Sequence, residues 1–196
     1  AIKLAAAWVR ALPVADIVAE LEAGIDILST TLVNIPSRQR SLRAIFDKTW
    51  TLLNGKEQQI LMVLSVFRGG CTVLAARQVA GANPLALAGL LDHGLVQLVA
   101  HPTGQRYQLH ALTRQFAAEK LAEDEKTAVS IRTAHASYYA DEVANLAPQL
   151  LGADPNRARD RLRAEVGNIQ QAWHEAVARQ DVGLLLRMAY PCLLYT

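Results

Sequence analysis

Apolar residues recur at helical spacing along most of the chain, and this pattern predicts a mainly α-helical protein. Residues 1–35 predict two helices that separate at Leu12-Pro13, because proline breaks a helix. A polar connector follows as far as Arg40. The next apolar positions share one helix face: Leu42, Ile45, Phe46, Thr49, Trp50 and Leu53.

Residues 36–123 carry dense start and stop signals for short helices. The predicted N-caps are Asn54 (with Glu57 completing a capping box), Thr72 and Asn83, and the predicted ends are Gly69-Gly70, Gly81 and Gly94. The spacing then changes to that of strands, because residues 95–99 and 106–109 flank a His-Pro-Thr-Gly turn typical of a β-hairpin. Residues 110–122 return to helical spacing. This order of elements predicts a winged-helix domain over residues 36–123.

Residues 124–196 predict helical hairpins. One helix face carries small and large residues in alternation, at Ala136, Tyr139, Ala140, Val143 and Ala147. Asp154-Pro155 starts a second helix, whose apolar positions are Leu162, Val166, Ile169, Trp173 and Val177. The expected architecture is therefore a winged helix with a small β-hairpin, flanked by a helical bundle (residues 1–35) and by α-solenoid-like helices (residues 124–196).

Composition narrows the protein class further. The chain of 196 residues is 52% hydrophobic and 19% charged, with a net charge of +2, which excludes intrinsic disorder. No apolar run approaches the ~18 residues of a membrane span, and no signal peptide opens the chain. Cys71 and Cys192 lie among apolar residues and predict reduced thiols in a cytoplasmic protein. Both ends interrupt helical patterns, so we expect a segment of a longer protein.

Motifs for catalysis and cofactor binding are missing from the sequence. The Gly55-Lys56 pair lacks the upstream glycine of a phosphate-binding loop, and no serine lies in a nucleophile elbow. The five histidines (93, 101, 110, 135 and 174) have no metal-ligand spacing. We therefore expect no enzyme activity, no metal and no cofactor within this segment.

Direct DNA binding is a second hypothesis for a winged helix. Counting along the sequence assigns the recognition helix to Val73–Ala80, which offers only Arg77 and Gln78 for base edges. Such an apolar helix favours contact with protein. The sequence also contains two arginine clusters. Acidic residues alternate with the first, which predicts a solvated surface: Arg157, Arg159, Arg161 and Arg163. For the second cluster (Arg38, Arg40 and Arg43), a contact with a phosphate group or a partner protein stays an open alternative.

Several ordered motifs resemble one protein family. They are Ala1–Trp8; Arg40–Asp47 with Trp50; Leu64–Gly70; Leu91–Val96; Tyr107–His110 through Phe116-Ala117; and Arg161–Glu165 with Asn168-Ile169 and Ala172-Trp173. Together they resemble the region after the nucleotide-binding core of NB-ARC-type signalling ATPases of the STAND class, in particular bacterial transcriptional regulators with tetratricopeptide-like repeats.

This resemblance implies a regulatory segment that couples nucleotide state to sensor repeats. The parent protein would bind ATP or ADP, an upstream nucleotide-binding domain would contact the winged helix, and the downstream helices would bind an inducer or protein partner. His110 matches the family histidine that contacts the nucleotide phosphate, although Leu109 and Ala111 replace the flanking Met and Asp. Two alternatives for His110 stay open: it caps its own helix, or the chain is a protein-binding scaffold in which it has no ligand.

Overall fold

The computed structural model of the chain describes residues 42–152 and 154–195. The helical elements are α1 (Leu42–Leu52), α2 (Gly55–Leu64), α3 (Val73–Ala80), α4 (Pro84–Asp92), α5 (Ala111–Ala122), α6 (Glu125–Leu150), α7 (Pro155–Ala178) and α8 (Val182–Tyr195). Strands β1 (Val96–His101) and β2 (Gly104–Leu109) lie between α4 and α5. The two helices expected in residues 1–35 and the connector to Arg40 lie outside the described residues.

Side-chain caps start the short helices as the sequence predicts. Asn54 accepts hydrogen bonds from the backbone N–H groups of Lys56 and Glu57, and the Glu57 carboxylate accepts from the Asn54 N–H, which completes the capping box. Thr72 and Asn83 cap α3 and α4 in the same way. These caps fix where each helix begins, and so fix how the short helices pack.

The predicted hairpin is confirmed. Strands β1 and β2 pair antiparallel from Val96 opposite Leu109 to His101 opposite Gly104. Cys71 adds one further antiparallel bridge, because its N–H and C=O both bond to the backbone of Tyr107, at 2.9 and 2.8 Å. The segment before α3 is thereby held against β2.

Helix α2 lies at the centre of the winged helix, in contact with α3, α4 and α5. Ile60 and Leu61 on α2 are fully buried. Helix α1 packs on α5 through aromatic rings, since the Phe46 ring stacks on Phe116 at 5.2 Å and Trp50 meets Phe116 edge-on at 5.9 Å. These contacts make α1 part of the winged-helix core.

Helices α6, α7 and α8 pack on one another, and α6 also contacts α3 and α5. One continuous hydrophobic core runs from Leu53 in the winged helix to Met188 on α8. The fold class predicted from the sequence, mainly helical with a small hairpin beside packed helices, is confirmed. The domain boundaries drawn from the sequence stay predictions. No helix within residues 42–152 and 154–195 combines the length and the apolar character needed to cross a membrane.

The two long helices bury different kinds of face. On α6 the alternating face predicted from the sequence is buried, including Tyr139 and Val143. On α7, however, the predicted apolar positions Val166 and Val177 are 53% and 51% exposed. The face that α7 buries carries Ala158, Asn168, Ala172 and Ala176, because small residues let α7 approach α6 and the winged helix closely.

Candidate functional site

A buried ion pair joins the winged helix to α7. Arg106 points inward from β2 and its side chain is 4% exposed. Its Nη1 and Nη2 atoms donate to Oε1 and Oε2 of Glu165 on α7, at 2.5 and 2.9 Å. Burial alone would lower the pKa of Arg106, but the hydrogen bond and charge of Glu165 outweigh burial and raise it. The guanidinium therefore stays charged and held at two points.

The same guanidinium binds the backbone that follows α2. Its Nε and Nη2 atoms donate to the carbonyl oxygens of Gly69 and Gly70, at 3.2 and 2.9 Å. Gly70 has a φ of +78°, and a Cβ there would lie 2.5 Å from the carbonyl oxygen of Tyr107. Only glycine fits this position, because both the left-handed backbone and the close approach to β2 exclude a side chain.

Asn168 on α7 adds further hydrogen bonds between α7 and the residue 68–70 backbone. It is fully buried, and its Nδ2 donates to the Gly70 carbonyl at 3.0 Å and to Glu165 Oε2 at 2.8 Å. Its Oδ1 accepts from the Arg68 N–H at 2.6 Å. The neighbouring Gly167 permits this approach, since a Cβ there would lie 3.1 Å from the Arg68 Cβ.

His135 on α6 closes the buried cluster. Its Nε2 lies 3.4 Å from Oδ1 of Asn168, and its ring packs against Phe67 and Tyr139 at 5.0 and 4.8 Å. Burial lowers the pKa of His135 to about 4, so the imidazole is neutral at pH 7. We call this set the junction: Arg106, Glu165, Asn168, His135 and the backbone of residues 68–70.

The junction holds α6, α7 and the winged helix together. Its carboxylate and amide groups are engaged with each other or with backbone. Cys71 lies next to it, but burial raises the pKa of this thiol to about 12, so the reactive thiolate is not formed near neutral pH. Among the described residues no group of three or more His, Cys, Asp or Glu side chains is placed to hold a metal ion.

His110, the residue singled out from the sequence, lies apart from the junction. It is the exposed N-cap of α5, and its side chain makes no capping hydrogen bond. Its backbone carbonyl accepts from the Arg114 N–H at 2.9 Å. The alternative in which the imidazole caps its own helix is therefore not observed in this structure.

A basic residue follows His110 within the first turn of α5. Arg114 lies in the first turn of α5, and burial together with the nearby charge of Arg68 lowers its pKa. Within the described residues Arg114 forms no ion pair. Among the described residues, the start of α5 thus combines backbone N–H groups without a side-chain cap, the positive end of a helix dipole and a guanidinium without a carboxylate partner.

The helix-turn-helix geometry changes the assignment of the recognition helix. Helices α3 and α4 are joined by the three-residue turn at 81–83, and the second helix of such a pair is the one that enters a DNA groove. That helix is α4, which also packs on β1; Val73–Ala80, assigned from the sequence, is the first helix of the pair. The exposed residues of α4 include Pro84, Leu85, Ala88 and Asp92, none of which donates a hydrogen bond to a base.

The arginines of α7 divide between surface pairs. Arg161 pairs with Glu142 at 3.0 Å and Arg163 with Asp160 at 3.4 Å, and Arg159 bonds to Asn156 at 3.1 Å. These contacts agree with the predicted solvated surface. Of the other cluster, Arg38 and Arg40 lie outside the described residues.

Sequence reasoning did not predict that the three central residues of the junction contact one another. Strand alternation places Arg106 on the face opposite Tyr107 and Leu109, so the sequence carries no signal for its burial. Glu165 and Asn168 fall three residues apart, which places them on one helix face. The partner of that face could not be identified from spacing alone.

Comparison with known proteins relates the chain to transcriptional regulators. Candidate HTH-type transcriptional regulators of Mycobacterium bovis and Mycobacterium tuberculosis are 31% identical to it over 180 residues, which is 88% of this chain and 20% of the relatives. The chain thus spans about a fifth of the length of the curated relatives it matches. No family model matches the chain, and no solved structure matches it significantly.

Proposed function

We propose that the chain is a non-catalytic regulatory segment of a multidomain signal-transduction ATPase that controls transcription. In this proposal an upstream domain binds ATP or ADP, the winged helix contacts that domain, and α6–α8 begin the helical repeats that bind an inducer or protein partner. The segment passes the nucleotide state from the winged helix to the repeats.

The junction is the observation that supports this proposal best. Arg106 and the residue 68–70 backbone belong to the winged helix, whereas Glu165 and Asn168 belong to α7. Separating the two parts would break the two-point ion pair and the hydrogen bonds of Asn168 to the residue 68–70 backbone. The winged helix and α7 therefore move together, so a displacement of one is passed to the other.

The start of α5 supports a role for His110 in nucleotide sensing. An exposed imidazole, the N–H groups of a helix without a side-chain cap, and Arg114, which has no ion pair within the described residues, suit a phosphate oxygen supplied by another domain. We propose that the phosphate of ADP, held by the upstream domain, contacts His110 in the resting state.

The exposed face of the helix-turn-helix favours a protein contact. Val73 and Leu74 on α3 are 53% and 50% exposed, and Leu85 on α4 is 82% exposed. Side chains of this kind suit a protein surface better than a phosphate backbone, which attracts Lys and Arg. The upstream nucleotide-binding domain is the partner that we propose for this face.

Hydrogen exchange on the full-length protein tests the proposal. With ADP or an ATP analogue bound, we expect exchange in α6–α8 to depend on the nucleotide, and we expect Arg106→Met to remove that dependence. Arg163→Met, which removes a largely exposed ion pair, is the control and should leave the dependence unchanged. Nucleotide-independent exchange of α6–α8 in the unmodified protein would contradict the proposal.

A second candidate function is direct DNA binding by this winged helix, which the HTH-type names of the relatives favour. Fluorescence anisotropy with duplex DNA distinguishes the two. The first proposal expects no binding by the 196-residue chain beyond a weak, salt-sensitive background. Sequence-specific binding that is lost in Leu85→Asp would support the second.

A further inference from the structure

Among the described residues, strand β1 forms the outer edge of the hairpin sheet. The bridge from Cys71 to Tyr107 lies on the other side of β2, so the order across the sheet is Cys71, β2, β1. Val96 at the start of β1 is 3% exposed, whereas residues 97–100 are all exposed. Most of β1 is therefore open to a further strand.

The hydrogen bonds of Tyr107 show which backbone groups of β1 point outward. Its N–H and C=O both bond to Cys71, so they point away from β1. Leu98 lies opposite Tyr107, and paired residues that do not bond to each other direct these groups away from each other. The N–H and C=O of Leu98 therefore point to the open edge, as do those of Ala100, two residues further on. Within the described residues no other strand or loop bonds to these groups.

The side chains of this edge lack the features that usually prevent strand pairing. Natural edge strands carry Lys, Pro or a bulge, whereas β1 reads Val-Gln-Leu-Val-Ala-His and pairs with β2 in unbroken register. Leu98 and Val99, on opposite faces of β1, are 43% and 37% exposed. The one charged residue of β2, Arg106, is buried in the junction. The hairpin thus presents an uncharged, partly apolar edge in a chain that is 19% charged.

We propose that β1 pairs with β1 of a second copy of this chain, antiparallel about a two-fold axis at Leu98. In this register Leu98 lies opposite Leu98 of the second copy, and Val96 lies opposite Ala100. All these residues direct their N–H and C=O groups outward, so each facing pair exchanges two hydrogen bonds.

The absence of charge on β1 is the reason for assigning a second copy to this edge. A two-fold axis brings each residue close to its own counterpart, and like charges placed opposite each other would repel. An edge without charge avoids this repulsion, whereas a charged partner would find no opposite charge on it. The pairing also covers the exposed Leu98 side chain of both copies.

The dimer should be weak, because two paired six-residue strands bury less than the ~1,200 Å² typical of stable complexes. We expect a dissociation constant between about 10 μM and about 1 mM. Sedimentation equilibrium of the 196-residue chain over this range of concentrations measures it. A chain that stays monomeric up to about 1 mM overturns the proposal.

Charge substitutions at Leu98 test the position of the axis. Leu98→Lys and Leu98→Glu each place like charges opposite each other, so each variant alone should associate at least about tenfold more weakly. An equimolar mixture of the two should associate again, since Lys then faces Glu, and this also shows that both variants fold. Leu151→Lys, which changes a leucine that is 74% exposed at the end of α6, is the control and should associate as the unmodified chain does. Unchanged association of Leu98→Lys, or a mixture that stays monomeric, overturns the proposal.

Amide hydrogen exchange followed by NMR tests the pairing itself. As the concentration rises, exchange of the Leu98 and Ala100 amides should slow, because these N–H groups become bonded to the second copy. The Gln97 and Val99 amides already point to β2, so their exchange should not change. Equal slowing of all four amides would place the contact elsewhere and overturn the proposal. So would protection of Leu98 and Ala100 that is independent of concentration, because a segment of the same chain would then occupy the edge.

Discussion

Arg106 and Glu165, 59 residues apart in the chain, form a two-point ion pair at the boundary between the winged helix and α7. The pair is buried on both sides, with side chains 4% and 13% exposed. Two further N–H groups of Arg106 donate to the carbonyl oxygens of Gly69 and Gly70. A charged pair of this kind contributes more to fixing one arrangement than to net stability.

Breaking the ion pair from one side should destabilise the chain. We expect Arg106→Met or Glu165→Leu to lower the free energy of unfolding by about 3–5 kcal/mol, because each leaves a buried charge unpaired. The double variant should lose less than the sum of the two, since no uncompensated charge remains. Denaturant unfolding of all four proteins measures this coupling.

The exposed pair of Arg163 and Asp160 is the matched comparison for this cycle. Its coupling should fall below about 1 kcal/mol. Equal coupling in the two cycles would mean that Arg106 and Glu165 behave as a surface pair.

Gly69 and Gly70 make a second test, because both have a φ of +78° but differ in their surroundings. Nothing lies within 4 Å of a Cβ at Gly69, whereas a Cβ at Gly70 would collide with the Tyr107 carbonyl. Gly69→Ala should lower the free energy of unfolding by about 1–2 kcal/mol, because of the backbone conformation alone. Gly70→Ala should lower it by about 1–3 kcal/mol more, since β2 must shift. Thermal unfolding compares the two variants, and equal losses of stability would show that the close approach of Gly70 to β2 does not restrict the residue at this position.

Acidification should weaken the fold through His135. Its pKa is about 4 in the folded chain and near 6.5 when unfolded, so the unfolded chain takes up the proton first as the pH falls. The stability from the neutral imidazole is present above pH 6.5 and is lost as the pH falls toward 4, by about 2 kcal/mol between pH 7 and pH 5. Unfolding of His135→Phe should lack this part of the pH dependence. The variant His174→Asn, which changes an exposed histidine, should retain this pH dependence. If the unmodified chain and both variants show the same pH dependence of unfolding, groups other than His135 cause it.

Local signals in the sequence predicted the elements of the winged helix well. The caps Asn54, Thr72 and Asn83 act over three residues, so their chemistry is visible in the sequence itself. The hairpin was visible for the same reason, since a change of period and a short turn are local features.

Contacts between distant segments could not be predicted in this way. The partner of Arg106 depends on where α7 lies against the winged helix, and that position depends on Gly167, which approaches Arg68, and on the alanines that α7 buries. Hydrophobic spacing instead favoured the face with Val166 and Val177, because the larger side chains dominate an apolar pattern. Small residues mark a buried face only when the neighbouring helix is known.

The last prediction concerns His110 and needs the full-length protein with its nucleotide. If His110 donates to the phosphate of ADP, His110→Ala removes a bond to a charged group, which contributes about 1.5–3 kcal/mol, so ADP affinity should fall roughly 10- to 150-fold. The resting state would lose that stabilisation, and resting activity would rise.

Because the imidazole makes no capping bond, His110→Ala should leave the unfolding of the 196-residue chain nearly unchanged. His110→Asn supplies a good N-cap with a shorter reach, so it should weaken ADP binding without loss of stability. Calorimetry on both variants decides the matter, since unchanged ADP affinity together with unchanged resting activity would leave His110 without a role in nucleotide sensing.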